Sequence, residues 1–353
     1  MRLACLVLAS CASVQEPESR PGVDLPLEDV FERVCGSVVT ILTIGPSVEL
    51  DGEGRPGTQA GMGSGVLVGE DGRVLTAAHV VQTAETVIVE FSDGARVPAS
   101  VEGTVLEADV ALVRLRGGLP RGAAIARLGD SDSARVGSEV FVVGAPRGMG
   151  HTLTVGHLSA RRRAGESSIG DLVPIELLQT DAGINPGNSG GPLFNRRGDV
   201  IGIVSFILTK SGGSEGLGFA VASNTVRGLL LDHNAFWSGI HVVLLTGPAA
   251  RLFNLPEGRG GALVQVVAKG SPGARLGLKG GTVQAVIEGR SLLLGGDVIL
   301  EALGVRADDP SFLPALRREL GRLRPEEEVR VEVFRAGKRE ILQGRFGDLL
   351  GAR

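Results

Sequence analysis

From Val38 to about Val221 the chain alternates apolar runs of strand length with short Gly/Asp punctuation, as in GSGVLVGEDGRVLTAA, ETVIVEFSDGARVPASV, DVALVRL, EVFVVGAP and DVIGIVSF. Short apolar runs bounded by turn residues read as strands. The pairs Asp71-Gly72, Asp93-Gly94 and Gly198-Asp199 read as the turns between them. Many short strands at this spacing predict barrels or sandwiches. Two stretches break the pattern. LEDVFERVCGSVVTI predicts a short amphipathic helix passing into a strand, and SNTVRGLLLDH, from 223 to 233, has helical spacing with Ser223 as its cap. That helix would close a first domain spanning 28–233. A second unit, 236–353, carries the strands GIHVVLL, GALVQVV, DVILEALG, EVRVEVFR and EILQGRF and one clear helix, PSFLPALRRELGRL, opened by Pro310 and Ser311. It reads as a small α+β domain.

The first residues, MRLACLVLASC, form an apolar run too short to span a bilayer, and residues 1–11 read as a secretory signal. The tetrad Leu8-Ala9-Ser10-Cys11 resembles the lipobox of bacterial lipoproteins, which makes Cys11 a lipidation candidate and a lipid anchor the only membrane contact expected. Residues 12–27 are polar, contain proline and have no periodicity, as a flexible tether does.

Composition narrows the classes. A length of 353 residues is enough for two cores, and 54 glycines favour a turn-rich, mainly β fold. A net charge of −4 leaves no basic footprint for nucleic acid. The cysteines at 5, 11 and 35 have neither CxxC nor zinc spacing, and Cys35, inside VCGSVV, is expected as a buried small hydrophobe. His151, His157, His233 and His241 show no metal spacing, so neither metal nor cofactor is expected. Gly61-Met62-Gly63-Ser64-Gly65 looks like a phosphate loop but leads into a strand, not a helix. Arg161-Arg162-Arg163 reads as a solvated basic loop.

The chemistry concentrates in Asp181-Ala-Gly-Ile-Asn-Pro-Gly-Asn-Ser-Gly-Gly-Pro-Leu193. A nucleophilic serine needs an exposed hydroxyl on a rigid turn and backbone N–H groups aimed at an oxyanion. Gly187, Gly190 and Gly191 allow that turn around Ser189. The N–H groups of Gly187 and Ser189 are the natural oxyanion donors, with Asn188 holding the loop between them. Upstream, His79 stands in LTAAHVV and Asp109 in EADVALV. Either alone would read as a structural residue: a core histidine, or a turn aspartate opening a strand. Together they complete a set in which an aspartate takes Nδ1–H of the histidine and frees Nε2 for the serine proton. The order His, Asp, Ser is the chymotrypsin order, and no GxSxG elbow centres on Ser189.

GSGVLV, LTAAHVV, ADVALVRL, VGAPRGMGHTLTVGHLSA, QTDAGINPGNSGGPLFN and GLGFAVASNTV occur in one order from about 28 to 230. In them the chain resembles the HtrA/Deg (DegP-like) serine proteases, bacterial envelope quality-control enzymes. The resemblance implies a trypsin-like double six-stranded β-barrel followed by one PDZ domain. It implies His79, Asp109 and Ser189 as the triad, and Gly187 and Asn188 with Ser189 as the oxyanion loop. It also implies an aliphatic S1 pocket at Ile184, Ile207 and Leu208. Glu107 competes with Asp109 by proximity, but the offset from VALVRL favours Asp109. Trp237-Ser238-Gly239-Ile240 matches the loop that holds a peptide carboxylate in PDZ domains, with Trp237 also readable as a packing residue at the domain boundary. TVQAVIEGRSL, between two Gly turns, reads as an inserted hairpin. The segment 45–61 reads as a short loop, which leaves a homotrimer as the expected assembly. The function implied is ATP-independent cleavage of unfolded or partly folded envelope proteins, with C-terminal peptides bound at the PDZ domain. The alternatives are a chaperone or PDZ scaffold, and a regulatory protease with one specific partner.

Overall fold

The structure, a computed structural model, describes residues 25–50, 56–145, 151–163, 175–207, 215–233, 235–255, 260–287 and 289–350. Cys11 with its leader, most of the tether, and Leu208 lie outside them.

A helix, α1 (Leu27–Cys35), precedes two closed six-stranded barrels. The first is built from β1 (Val38–Leu50), β2 (Pro56–Leu67), β3 (Arg73–Thr76), β4 (Thr86–Glu90), β5 (Arg96–Val105) and β6 (Val110–Leu115), in the order β1-β2-β3-β6-β5-β4. The second contains β7 (Glu139–Gly144), β8 (Thr152–Arg163), β9 (Glu176–Thr180), β10 (Pro192–Asn195), β11 (Val200–Ile207) and β12 (Gly218–Ala222), in the order β10-β11-β12-β9-β8-β7. One turn of helix, α2 (Ala78–Val81), follows β3, and α3 (Ser223–Val226), continued by a wider π turn over Arg227–Leu231, follows β12. This is the trypsin fold.

The strands read as unbroken apolar runs because both of their faces are buried. Successive side chains of a strand point to opposite faces. Val39, Ile41, Val74, Ala111 and Val113 fill the first barrel, while Val140, Val142, Ile201, Ala220 and Ala222 fill the second. Their neighbours Val38, Leu75, Val110, Leu112, Phe141, Val143, Phe219 and Val221 form one layer shared by the two barrels. Phe141 and Phe194 stack at its centre with ring centroids 5.1 Å apart. Val30 and Val34 of α1 join the same layer at i,i+4 spacing.

A second unit follows. A sheet of order β13-β14-β17-β19-β20 is formed by β13 (Ile240–Leu245), β14 (Gly261–Val267), β17 (Val298–Ala302), β19 (Glu328–Arg335) and β20 (Lys338–Arg345), with β18 (Val305–Arg306) on β17. It packs with α4 (Gly247–Leu252), α5 (Pro272–Arg275), α6 (Phe312–Arg322) and α7 (Phe346–Leu350). The sheet and α6 fit a PDZ architecture. The inserted hairpin is present as a separate two-stranded sheet, β15 (Val283–Ile287) with β16 (Arg290–Leu294). Gln265, buried in β14, clamps it: its amide donates to Leu293 O at 3.1 Å and accepts from Leu293 N at 2.7 Å.

Four local expectations need correction. Residues 45–61 are not a loop but mostly strand, since β1 runs to Leu50 and β2 starts at Pro56 as one long hairpin. The arginine run is strand, the end of β8, and Arg161 is paired rather than solvated: it lies 2.8 Å from the buried Glu176 and donates to Ser131 O and Ala134 O. Ser223 does not cap its helix; its hydroxyl donates to Gly129 O at 2.7 Å, and Ala222 occupies the cap position. Cys35 is half-buried at the end of α1, its thiol on Glu32 O at 3.3 Å; the buried positions of that helix are Val30 and Val34, with Leu27 and Phe31 packed beside them.

The shared layer makes a stability prediction. Phe194→Ala should destabilise the protein by about 3–5 kcal/mol, read as a lowered thermal midpoint. A change near zero would show that the barrels do not depend on this layer.

Candidate active site

His79 sits on α2, directly after β3. Ala77 and Ala78 before it are fully buried, and their small size lets the single helical turn lie against the barrel wall. The first N–H groups of a helix lack internal partners. Here the N–H of His79 donates to Asp109 Oδ1 at 2.9 Å, while His79 Nδ1 lies 3.0 and 2.8 Å from the two oxygens of the same carboxylate. An aspartate accepting at Nδ1 fixes the imidazole tautomer with its proton on that nitrogen and leaves Nε2 as acceptor.

Asp109 reaches this position from a tight turn ahead of β6, closed by its N–H on Leu106 O at 3.1 Å. Its φ is +52°, in the left-handed region that costs a non-glycine residue on the order of 1 kcal/mol. Glu107 of the same turn faces elsewhere, 3.7 Å from Arg317 on α6. Oδ2 of Asp109, which lies 2.8 Å from the ring nitrogen, also accepts the hydroxyl of Ser205 at 2.6 Å. Ser205 is 3% exposed and is the extra residue of a bulge in β11, where the register with β12 shifts between Val204 and Phe206. A bulge re-aims a side chain that regular pleating would point elsewhere.

The imidazole is half exposed. Its partial burial disfavours the charged form, but the hydrogen bond and the charge of Asp109 outweigh that, so its pKa stands above the ordinary 6.5.

Ser189 lies on the loop between β9 and β10. Gly187 and Gly190 have φ of 105° and 82°. A Cβ on Gly190 would come 2.2 Å from Thr76 Oγ1 and 2.3 Å from Ser64 O, so glycine is required there. The loop is cross-tied: Asn188 N donates to Asn185 O, Gly190 N to Val204 O and Gly191 N to Asn188 O, at 2.7 to 3.0 Å. Among the described residues no acceptor takes the N–H of Gly187 or of Ser189, the two donors an oxyanion would need. Asn188 is 2% exposed. Among the described residues no hydrogen bond joins the Ser189 hydroxyl to His79; in unliganded enzymes such contacts often tighten only with substrate.

Of the expected S1 residues, Ile184 is 2% exposed within the core of the second barrel, with Ile207 packed beside it. Ile207 pairs with Gly218 across β11 and β12, and a Cβ on Gly218 would come 2.5 Å from Ile184 Cδ1. The three residues are adjacent, with glycine leaving space beside the two isoleucines. Ser205, Ser64 and Gly218 escaped the sequence reading. Ser205 had a signal: a hydroxyl in the apolar run VIGIVSFI must find a partner when buried.

In the second unit, Trp237 Nε1 donates to Gln82 O at 2.7 Å, so this residue does tie the units together. Gly239 has φ +69°. Ser238 O and Gly239 O are taken by Gly273 N and Ala268 N, while among the described residues no acceptor takes Ser238 N or Gly239 N.

Two barrels with a His–Asp pair at their junction and a glycine-rich serine loop are the arrangement of serine hydrolases of the trypsin fold. A trypsin-like peptidase domain model matches residues 63–203. The probable periplasmic serine endoprotease DegP-like of Halomonas elongata is 35% identical over 303 residues, 84% of this chain and 58% of that protein. Its counterpart in Pseudomonas putida strain GB-1 is 36% identical over 295 residues, 82% of this chain and 56% of that protein. The solved HtrA-type protease AlgW with a tripeptide aligns over 91% of this chain and 96% of its own, with TM-score 0.51 and 30% identity. The chain belongs to the DegP-like family of HtrA-type serine proteases. It spans a little over half the length of the curated relatives it matches.

Two outcomes follow from the Asp109 contacts. Because His79 must be neutral to accept a proton, and its pKa is raised, cleavage should fall with acid at a midpoint above 6.5. A pH profile of kcat/KM with a midpoint below 6.5 would mean that burial outweighs the carboxylate. Asp109→Asn should lower kcat about 10⁴-fold through the wrong tautomer, whereas Glu107→Gln should leave most activity. The reverse result would move the role to Glu107.

Proposed function

We propose that this chain is an ATP-independent serine endopeptidase that cuts exposed segments of unfolded or partly folded proteins in the periplasm. The observation that carries the reading is the two-point grip of Asp109 on His79, through backbone N–H and Nδ1, next to a serine loop whose two oxyanion donors are unclaimed. In this reading the Ser189 proton passes to His79 Nε2 as Oγ bonds to the substrate carbonyl carbon. The oxygen that gains charge is received by the N–H groups of Gly187 and Ser189. His79 then gives its proton to the departing amine. A water molecule, deprotonated by the same nitrogen, releases the acyl group from Ser189. Ile184, Ile207 and Gly218 support an uncharged pocket and a small or medium aliphatic residue before the cut bond. The periplasmic setting rests on the names of the relatives, and the homotrimer on the family resemblance alone.

The second unit supports recognition of C-terminal peptides. Among the described residues β13 pairs with β14 alone, which leaves its other edge for an added strand. Beside it a cavity of about 140 Å³ is lined by Ile240, Val242, Phe312, Leu316 and Leu320, and by Gln82 from the first domain. The Gln82 amide donates to Ile240 O at 2.7 Å and so occupies the first carbonyl of the edge that a peptide would use. A bound peptide must displace it, three residues from His79.

Cleavage of a casein-like unfolded protein should be lost in Ser189→Ala by several orders of magnitude, and sites mapped by mass spectrometry should follow aliphatic residues. No cleavage by either form, with or without C-terminal peptide, would favour the chaperone reading. Gln82→Ala should tighten binding of an apolar C-terminal peptide several-fold, measured by fluorescence anisotropy. Unchanged binding would place the peptide elsewhere.

A further inference from the structure

Ser64 is fully buried on β2, in the first barrel, yet its hydroxyl and its N–H bond to the second. Its hydroxyl donates to Gly187 O at 2.6 Å and accepts from Ala145 N, just past β7, at 2.9 Å. Its own N–H donates to Ser189 O at 2.8 Å, and its carbonyl accepts the Thr76 hydroxyl at 2.7 Å. All four polar valences of one residue are therefore spent on the nucleophile loop and on the two segments beside it.

The peptide plane between Gly187 and Asn188 shows what the hydroxyl does. Its carbonyl end is held by Ser64 Oγ, and its N–H end by Asn185 O at 3.0 Å. A plane fixed at both ends cannot rotate about its flanking bonds. Gly187 is the residue most able to rotate, since glycine populates both signs of φ, and it sits here at +105°. If the carbonyl were released, the Gly187–Asn188 peptide could turn, and the dihedrals of Gly187 that join it to the preceding Pro186–Gly187 peptide, which carries the Gly187 N–H, would no longer be fixed. Preorganised donors matter because they need no reorganisation as charge develops.

We infer that Ser64 is a positioning residue for the oxyanion hole: its hydroxyl, delivered from the first barrel, locks the Gly187–Asn188 peptide so that the donors beside Ser189 are set before substrate arrives. This rests on the reading of Ser189 as nucleophile. Ser64 touches no reacting atom, so its effect falls on the transition state rather than on substrate binding.

The test compares wild type, Ser189→Ala, Ser64→Ala and Ser64→Cys on one fluorogenic peptide. It also measures affinity for a peptide aldehyde, which forms an oxyanion adduct, and for the matching peptide amide, which does not. Ser64→Ala should lower kcat about 10- to 100-fold, somewhat less than removal of an oxyanion donor outright, with KM within about threefold. Aldehyde affinity should fall in parallel with kcat while amide affinity stays. Ser64→Cys, close in volume and with a weak donor, should recover part of both; should Ser64→Ala not fold, the same readouts on Ser64→Cys decide the matter. Equal losses for aldehyde and amide, or wild-type kcat in the Ser64 variants, would overturn the inference. Activity retained by Ser189→Ala would instead overturn the reading of the nucleophile.

Discussion

The carboxylate of Asp109 is the constraint around which the two barrels are arranged. It belongs to the first barrel, yet Oδ1 takes the His79 backbone N–H, both oxygens lie within 3.0 Å of the ring Nδ1, and Oδ2 is also held at 2.6 Å by Ser205 from the second. A carboxylate that is not fully solvated must have its lone pairs satisfied by hydrogen bonds. Ser205 and His79 satisfy it together only when the barrels stand in one relative placement. The shared layer of Phe141, Val143, Phe194, Val38 and Leu112 supplies the area that holds that placement. The hydrogen bonds then select the geometry within it.

Much of this was legible because the constraints are local and chemical. The turn pairs marked hairpins that exist, with Gly72, Gly94 and Gly198 at φ between 77° and 83°. Ser189 stands among glycines that only a particular backbone needs, whereas His79 and Asp109, each readable as structural alone, were legible only together with it. What stayed hidden depends on which face of a strand meets what. An unbroken apolar run does not say which side fills a barrel and which side meets the other barrel. Arg161 looks like surface charge until β9 brings Glu176 beside it. Ser223 looks like a cap until Gly129 O is found within reach. Ser205 and Ser64 each stand among small or apolar neighbours, in IVSFI and GMGSGVL, and their partners lie 96 and 123 residues away. The hydrogen-bond requirement was readable there, but not the partner.

The junction with the second unit follows the same logic. Thr104 N donates to Phe236 O, Trp237 donates to Gln82 O, and Lys269 N donates to Glu85, so the linker is stitched to β5 and to the segment after α2. A Cβ on Gly103 would overlap Ala235 at 2.1 Å, which shows how closely the linker lies on the first barrel. These ties end on β5 and on the segment just past His79, and Arg317 of α6 adds a contact at 3.7 Å to Glu107 in the turn that carries Asp109. A displacement along β13 or α6 would therefore reach residues one helical turn from His79 and two positions from Asp109, a short path along which a local change can bias the site.

The two hidden serines make the arrangement reciprocal. The second barrel sends Ser205 across the junction to hold the Asp109 of the first, and the first sends Ser64 across to hold the loop of Ser189 in the second. Neither barrel alone carries a complete set of groups, and neither alone positions the groups it does carry. A device built this way ties its chemistry to the contact between domains. Any slip at the shared apolar layer would loosen the histidine–aspartate pair and the oxyanion donors together, because the hydrogen bonds that aim both cross the same plane.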